Sequence, residues 1–354
     1  MILTYIKEKK PLIDEKIVAI LKSRKEELNK INQFGGDSID KLIEFCTTGK
    51  SLRGVLVLLG AEMYGKKIDD NLLEIAAILE IIHSCILIQD DIQDDDTLRR
   101  GHQTVWYQFQ KSAEESNFKK PKFYGESMAM DVFLIGHYIA MERLVSLDLP
   151  TELKLSIAIF LTQEVQKVGV AQSQDIYHGY VHGDRITIAD IENVHLYKTG
   201  RYTIALPLAL GALYAGKKMN ELDNLIEFGE KMGIVFQIKD DELAIFAEQD
   251  ELGKKVGNDI SENKKTHFRE LLYQRVNPLE LPLLKISFGN KNLSEKKLAK
   301  IRNLLMKYGI RADLQTKIDG IGITSKEIID NENISPDTKE LLHSFVDYLL
   351  TRTK

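Results

Sequence analysis

Residues 72–101 have the sequence LLEIAAILEIIHSCILIQDDIQDDDTLRRG, and their character changes sharply at residue 90. The stretch before residue 90 is almost wholly apolar, and neither glycine nor proline interrupts it. Residues 90–96 contain five aspartates, and two arginines come shortly after them. This pattern predicts a long buried helix that ends in a concentrated group of carboxylates.

The rest of the chain also favours helices. No proline occurs between Pro11 and Pro121, and little of the sequence alternates apolar and polar residues with a period of two. Residues 187–190 and 324–327 have the form of capping boxes, and the proline after Ser335 suits a first helical turn. We therefore expect an all-α fold, a single large helical bundle with a central apolar cavity.

The composition is that of a globular protein. The chain has 354 residues, of which 44% are hydrophobic and 29% charged, and we expect one domain spanning 1–354. The formal net charge of -5 gives no basic footprint for nucleic acid. Cys46 and Cys85 are too few for a disulfide framework, which favours reduced core residues and a cytoplasmic location.

The N-terminus and the apolar runs bear on membrane attachment. Residues 1–10 lack the charged, apolar and small segments of a signal peptide, because lysines interrupt them early. No apolar run approaches the ~20 residues that a spanning helix needs. We expect no integral membrane segment.

The aspartates are spaced for binding a metal ion. Asp90 and Asp94 are four residues apart, so on a helix they project from one face about 6 Å apart along the axis. Like charges this close repel unless a cation lies between them, and oxygen ligands favour Mg²⁺, which takes one or two carboxylates together with substrate phosphates. Asp240 and Asp241 form a second acidic pair after the apolar run 233–236. The two clusters together predict a Mg²⁺ site.

Basic residues around the acidic clusters suit phosphate oxygens, with lysine acting as a point charge and arginine as a bidentate fork. They are Lys50, Arg53, Arg99, Arg100, Lys198, Lys254 and Lys264. His83 lies seven residues before Asp90, two helical turns away on the same face, so we expect it to line the same cavity. The chain thus offers acids for metal ions and bases for diphosphates.

With these motifs the chain resembles the trans-isoprenyl diphosphate synthase (polyprenyl synthetase) family, of the farnesyl and geranylgeranyl diphosphate synthase type. The first cluster matches the family's first aspartate-rich motif, with its Arg-Arg-Gly sequence, and the second cluster is similar to the second motif. The resemblance covers about residues 49–266 and implies an isoprenoid synthase domain. It also implies a homodimer with three Mg²⁺ per active site, which extends an allylic diphosphate (dimethylallyl, geranyl or farnesyl) with isopentenyl diphosphate.

The resemblance also assigns roles to residues. The implied catalytic metal ligands are Asp90, Asp91 and Asp94 on one side of the cavity and Asp240 and Asp241 on the other. The implied contacts to the allylic diphosphate are Arg99, Lys198, Lys254 and Lys264, with Lys198 also catalytic. Those to isopentenyl diphosphate are Lys50, Arg53, His83 and Arg100. Thr199 and Gln237 are expected to supply neutral polar contacts, and Asp175 either contacts a metal-bound water or accepts a buried hydrogen bond.

The chain departs from the family pattern at several positions. Gly54 replaces a common proline, Gln89 a histidine, Ala171 a glycine, Ala244 a third aspartate and Asn263 a glycine. The change at Ala244 has the largest expected effect, because it removes negative charge that would face the metal ion.

Two polar segments follow the acidic clusters, at residues 102–125 and 247–265. We interpret both as irregular loops that close over a bound diphosphate, or else as ordinary solvated linkers. Residues 278–354 carry no further motif, and we expect them to form structural helices.

Product length in this family depends on side chains four or five residues before the first aspartate, where aromatic residues favour short products. Ile86 and Cys85 occupy those positions here, and Ile82 lies one turn deeper. We expect growth beyond fifteen carbons, with a C20 product, and a shorter product on replacing Cys85 with Phe.

Other functions stay open. A farnesyl or a longer polyprenyl diphosphate synthase differs only in product length. A class I terpene cyclase also ionises an allylic diphosphate but binds no second diphosphate. A non-catalytic subunit of a heteromeric prenyl synthase would show eroded acidic clusters, and only Ala244 suggests this.

Overall fold

The computed structural model describes residues 1–181, 185–247 and 257–352, and these residues confirm the all-α fold. The first helices are α1 (Ile2–Ile31), α2 (Gln33–Thr47), α3 (Leu52–Glu62), α4 (Asp70–Gln93), α5 (Val105–Glu115), α6 (Pro121–Val145), α7 (Thr151–Tyr180), α8 (Ile188–Val194) and α9 (Leu206–Tyr214). They are followed by α10 (Asp223–Phe246), α11 (Asn258–Ser261), α12 (His267–Arg275), α13 (Leu281–Ser287), α14 (Glu295–Lys307), α15 (Ile310–Asn331) and α16 (Pro336–Thr351).

Three shorter features complete the described elements. Strands β1 (Leu98–Arg99) and β2 (His102–Gln103) form an antiparallel hairpin. A π-helix (His195–Ala205) leads directly into α9, and a 3₁₀ turn (Met219–Glu221) precedes α10. The chain divides into an N-terminal unit of residues 3–159 and 207–218 and a C-terminal unit of residues 1–2, 160–206 and 219–354.

In the N-terminal unit, α4 is the buried helix that the sequence predicts. Asp69 caps its start by accepting a hydrogen bond from the backbone N–H of Leu72 at 3.0 Å. Helices α2, α3 and α6 pack against it, so that Leu79, Ile81 and Ile82 are fully buried. Each such side chain contributes about 1.5–3 kcal/mol of transfer free energy. The packing thus holds the carboxylates at the end of α4 on a rigid support.

The apolar character of α4 corrects one expectation. Within the described residues it is the one helix long and apolar enough to cross a membrane, a length the sequence interpretation overlooked. Of its most apolar window, 78% is buried inside the protein, and core helices of this kind pass the same test.

In the C-terminal unit, the π-helix packs along α10 at very short range. A Cβ atom on Gly233 of α10 would lie 1.9 Å from the Cα of Gly200. Arg201 of the π-helix donates to Glu164 of α7 at 2.9 Å and also pairs with Glu230 of α10. The π-helix is therefore fixed between two long helices, and π-helical segments frequently occur at functional sites.

Two expectations about local structure are confirmed and others are wrong. Residues 187–190 form the predicted capping box, and Ser335 caps the helix that Pro336 begins. Residues 324–327 instead lie inside α15, where the Thr324 hydroxyl donates to a carbonyl one turn back. Residues 102–125 are not one loop, because β2, α5 and the start of α6 occupy most of them. Of residues 247–265, 248–256 lie outside the described residues and 258–261 are helical.

Candidate active site

The first acidic cluster lies where α4 ends. Asp90 is in the last turn and Asp94 is the C-cap residue, whose backbone N–H donates to the carbonyl of Asp90 at 2.9 Å. This geometry places the two side chains on one face, as predicted. Because the carboxyl end of a helix carries partial negative charge, carboxylates there repel one another and gain from a bound cation.

Arg99 is held among the aspartates. It contacts Asp90 at 3.1 Å, Asp96 at 3.7 Å and the Oδ1 atom of Asp91. Burial alone would lower the pKa of Arg99, but the neighbouring aspartates outweigh burial and raise it. The Asp91 side chain is 1% exposed and that of Asp90 is 16% exposed. Asp91 therefore fixes Arg99, while Asp90 is the more accessible of the two carboxylates.

The hairpin after the first acidic cluster positions Arg99 and Arg100. Arg100 and Gly101 form its two-residue turn, and both have positive φ, at 54° and 80°. This is the condition for a type I′ turn, which favours glycine strongly at the second position. Trp106 holds the preceding segment by donating its Nε1–H to the carbonyls of Asp91 and Asp96, at 3.1 and 2.8 Å. Arg99 lies in β1 and Arg100 in the turn, so the two side chains leave the same hairpin in different directions.

A basic group lies beside the acidic one in the N-terminal unit. The pKa of His83 falls well below its ordinary value, because of burial first and of the positive charges of Arg53, Arg100 and Arg99 next. His83 is therefore neutral at pH 7. Arg100 packs over Gly49, where a Cβ atom would lie 2.5 Å from Nη1. The structure thus brings together His83, Arg53 and Arg100, three of the four residues predicted to bind isopentenyl diphosphate, and the fourth, Lys50, has an exposed side chain two residues before α3.

Glu80 is the carboxylate that accompanies these cations. Burial raises the pKa of Glu80, although Arg53 and Arg100 oppose the shift. Its Oε1 atom accepts a hydrogen bond from the backbone N–H of Gly54 at 2.7 Å. A proline at position 54 would have no such N–H to donate.

The three residues predicted to control product length differ in environment. Ile82 and Cys85 are fully buried, and Ile86 is partly exposed. Cys85 lies against α6, since a Cβ atom on Gly136 would be 2.7 Å from its sulfur atom. Residues 85 and 86 point about 100° apart on a helix, so only one can face a given cavity. A role in product length stays a prediction for all three.

In the C-terminal unit, Lys198 and Thr199 lie on the π-helix. Lys198 forms an ion pair with Asp175 of α7 at 2.7 Å. The Thr199 hydroxyl donates to Gln237 at 2.9 Å, and Gln237 donates in turn to Asp241 at 2.9 Å. The predicted neutral residues thus orient Asp241 of the second acidic pair, and Asp175 acts as a partner of Lys198.

The two aspartates of the second pair point into different surroundings. The Asp240 side chain is 37% exposed and pairs with Arg352 at 2.6 Å, while the Asp241 side chain is 4% exposed. Burial, followed by the charges of Asp259 and Asp240, raises the pKa of Asp241 well above its usual value. Asp240 is therefore the more accessible carboxylate of this pair.

The remaining predicted cations have separate positions. Lys264 lies 3.3 Å from Glu262 and faces the acidic environment of Asp241. Lys254 lies outside the described residues. The two acidic clusters belong to different compact units. That they face one cavity therefore stays a prediction.

Comparison with known proteins identifies the arrangement. The sequence model of the polyprenyl synthetase family matches residues 37–305. The chain belongs to the polyprenyl synthetase family. It is accordingly a trans-prenyltransferase, and the resemblance inferred from the motifs is confirmed.

Individual members of the family are similar over most of the chain. The geranylgeranyl diphosphate synthase of Sulfolobus acidocaldarius is 30% identical over 79% of this chain and 81% of its own length. The farnesyl diphosphate synthase of Haemophilus influenzae is 32% identical over 62% of this chain and 70% of its own length. A crystal structure of geranylgeranyl pyrophosphate synthase from Corynebacterium glutamicum, complexed with isoprenyl diphosphate and magnesium, has a TM-score of 0.90 at 26% identity, covering 97% of this chain and 99% of that one.

The departures from the polyprenyl synthetase pattern have local explanations in part. Asn263, at a family glycine, has φ of 59°, a left-handed conformation that asparagine tolerates best after glycine. Its side chain also accepts a hydrogen bond from Arg269 at 3.0 Å. At Ala244, the backbone carbonyl accepts from the N–H of Gly257 at 2.9 Å, and the side chain supplies no carboxylate.

Several residues of the site have no signal in the sequence motifs. They are Glu80, Trp106, Asp175 as a lysine partner, Asp259 and Arg352. Glu80 was recognisable as a charge inside an apolar helix, which must be paired to be buried. Arg352 was not, because it is 112 residues from Asp240 in the chain, in helices expected to be structural only.

Proposed function

We propose that the chain condenses isopentenyl diphosphate with an allylic diphosphate (dimethylallyl, geranyl or farnesyl) to give geranylgeranyl diphosphate, C20, with Mg²⁺ as cofactor. The main support is that the first acidic cluster and a basic group lie side by side around the C-terminal half of α4. Asp90 and Asp94 are suited to a metal-bound diphosphate, and Arg53, His83 and Arg100 to a second diphosphate. The names of the archaeal relatives support the twenty-carbon product.

The Mg²⁺ ligands follow from the donor atoms. Asp90 and Asp94 offer carboxylate oxygens on one helical face, and Asp240 is the accessible aspartate of the second pair. Oxygen-only donors of this kind fit Mg²⁺. Bound there, three Mg²⁺ ions would supply Lewis-acid charge to the oxygens of the leaving diphosphate. Asp91 takes part through Arg99, since its carboxylate is buried against that side chain.

The protein's own groups then act on two substrates. Arg99 and Lys198 neutralise charge that grows on the allylic diphosphate as its C–O bond breaks. Arg53 and Arg100 hold the isopentenyl diphosphate, whose double bond attacks the allylic carbocation. Neutral His83 can donate a hydrogen bond to that diphosphate without adding charge. Loss of a proton from the new intermediate completes one elongation.

The basic group separates this function from its alternatives. A class I terpene cyclase has no use for cations that bind a second diphosphate. A non-catalytic subunit has no need of the Asp90, Asp91 and Arg99 arrangement, which is complete here. Product lengths other than C20 remain alternatives within the same chemistry.

The deciding experiment is a product assay with the purified chain. We expect labelled isopentenyl diphosphate to enter C20 diphosphate with each of the three primers, and removal of Mg²⁺ to abolish incorporation. Consumption of a primer without isopentenyl diphosphate would instead identify a cyclase. Absence of turnover until another protein is added would identify a subunit.

Product length should respond to position 86 more than to position 85. We expect Ile86→Phe to shorten the main product by at least one five-carbon unit, because residue 86 is partly exposed at the end of α4. Cys85→Phe forces an aromatic ring against Gly136, so we expect it mainly to destabilise the packing of α4 on α6. Chromatography of the dephosphorylated products, with a thermal unfolding curve for each variant, distinguishes the two. A shorter product from Cys85→Phe at wild-type stability would instead show that residue 85 controls product length.

An exposed apolar face on α6 supports a homodimer. Phe123, Met130, Leu134 and Tyr138 are spaced to lie on one side of this helix and are 67%, 61%, 49% and 65% exposed. Contiguous apolar patches on a helix commonly mark protein interfaces. A second copy of the chain is the proposed occupant, and sedimentation equilibrium at twice the monomer mass tests it. The two free, buried cysteines, Cys46 and Cys85, support a cytoplasmic location.

A further inference from the structure

Three side chains converge in the interior of the C-terminal unit. His195 begins the π-helix, Asp241 lies on α10 and His267 begins α12. They are 6%, 3% and 1% exposed. One ligand atom from each lies within 4.8 Å of the other two, and the Nε2 atom of His195 is 3.8 Å from Oδ2 of Asp241. Three elements therefore bring two imidazoles and a carboxylate to one point.

Each of these residues keeps a buried polar atom without a protein partner. Within the described parts of the chain, Nδ1 of His195, Nδ1 of His267 and Oδ2 of Asp241 are buried and accept or donate no hydrogen bond. Unsatisfied buried polar groups are costly, and those of Asp241 and His267 call for a ligand. His195 turns Nε2 towards Oδ2 of Asp241, and at 3.8 Å the two atoms are too far apart for a hydrogen bond.

The other atoms of the same side chains are already fixed. Gln237 donates to Oδ1 of Asp241 at 2.9 Å, which leaves Oδ2 available. Nε2 of His267 lies 3.4 Å from Glu192, which leaves Nδ1 available. A histidine whose second nitrogen is held by a carboxylate is the usual arrangement around a protein-bound transition metal.

The charges around the group also suit a cation. Asp259 and Asp240 add negative charge around Asp241.

We propose that His195, Asp241 and His267 form a binding site for a borderline divalent transition metal such as Zn²⁺, distinct from the Mg²⁺ site. Imidazole nitrogen favours zinc-like ions over magnesium, and three protein ligands leave one position for water. Ligand atoms around a tetrahedral ion bound at 2.0–2.2 Å lie about 3.4 Å apart. Binding therefore requires the ligand atoms to move closer together by about 1 Å through side-chain rotation. The second acidic pair then serves two ions, with Asp240 directed to the magnesium-bound diphosphate and Asp241 to the transition metal.

Zinc binding can be measured without any substrate, so its outcome is independent of the proposed synthase activity. The full chain, stripped of metal by a chelator, is titrated with Zn²⁺ against a chromophoric chelator in excess Mg²⁺. We expect one tight site per chain. His195→Asn and His267→Asn should each weaken Zn²⁺ binding by more than about 100-fold, because each removes a direct ligand.

The matched control is His343→Asn, which removes a partly exposed histidine of α16 that pairs with Asp330. It should leave Zn²⁺ affinity unchanged. A second readout on the wild-type chain guards against unfolded variants: Co²⁺ should give the visible absorption of a four-coordinate site, and Zn²⁺ should remove it. Absence of that spectrum, or equal Zn²⁺ affinity in His195→Asn, His267→Asn and the wild type, would overturn the proposal.

Discussion

Replacing Asp90 with Asn is expected to lower kcat for prenyl transfer by about 10³-fold or more, with the fold intact. The accessible carboxylate of the first cluster is lost, and a metal-stabilised leaving group accounts for several kcal/mol of the barrier, where each 1.36 kcal/mol is tenfold in rate. Steady-state assay with isopentenyl and farnesyl diphosphates measures the loss.

The control for Asp90→Asn is Asp148→Asn, which changes an exposed aspartate of the same unit outside the acidic cluster. We expect wild-type kcat for this variant. Raising the Mg²⁺ concentration should recover part of the Asp90→Asn activity if the carboxylate acts as a ligand. Unchanged kcat in Asp90→Asn would contradict the assignment of this aspartate to the metal site.

Replacing Gly233 with Ala is expected to destabilise the C-terminal unit by about 3 kcal/mol or more. The new Cβ atom would lie 1.9 Å from the Cα of Gly200, so the π-helix and α10 must separate. Overpacking costs about 1–3 kcal/mol where side chains can move to relieve it. A contact between two backbones has less freedom to adjust. Urea unfolding followed by circular dichroism measures the change.

The comparison for Gly233→Ala is Gly320→Ala on α15, where a Cβ atom would meet nothing within 4 Å. That variant should gain about 0.5–1 kcal/mol, because alanine restricts the unfolded chain and favours the helix. Similar unfolding curves for the two variants would refute the close contact. Since Gly200 follows Lys198 and Thr199, we also expect Gly233→Ala to reduce turnover more than it reduces folded protein.

Much of the site followed from sequence because its residues are close in the chain. The helical spacing of Asp90 and Asp94 and the nearby Arg99 are local properties that helix and turn geometry determine. The pairing of Asp240 with Arg352 depends on tertiary packing of α10 and α16, and no periodicity contains it. The convergence of His195 and His267 likewise depends on tertiary packing, because each histidine lies in an ordinary helical sequence.

The different surroundings of adjacent aspartates were also beyond sequence reasoning. Asp91 and Asp241 match metal-binding motifs as well as Asp90 and Asp240 do, yet they are buried, Asp91 against Arg99 and Asp241 beside His195. Consecutive residues of a helix point about 100° apart, so a pair of identical side chains meets two environments. Only the packing around α4 and α10 decides which member of each pair remains accessible.

We expect the rigid α4 helix to relate product length to its helical turns. The accessible carboxylate and the side chains at positions 86 and 82 follow one another at four-residue intervals, so each step inward is about 6 Å along the helix axis. That rise is comparable with the extended length of a single isoprene unit. Bulky substitutions at successive turns of this helix should therefore each shorten the main product by about one further isoprene unit.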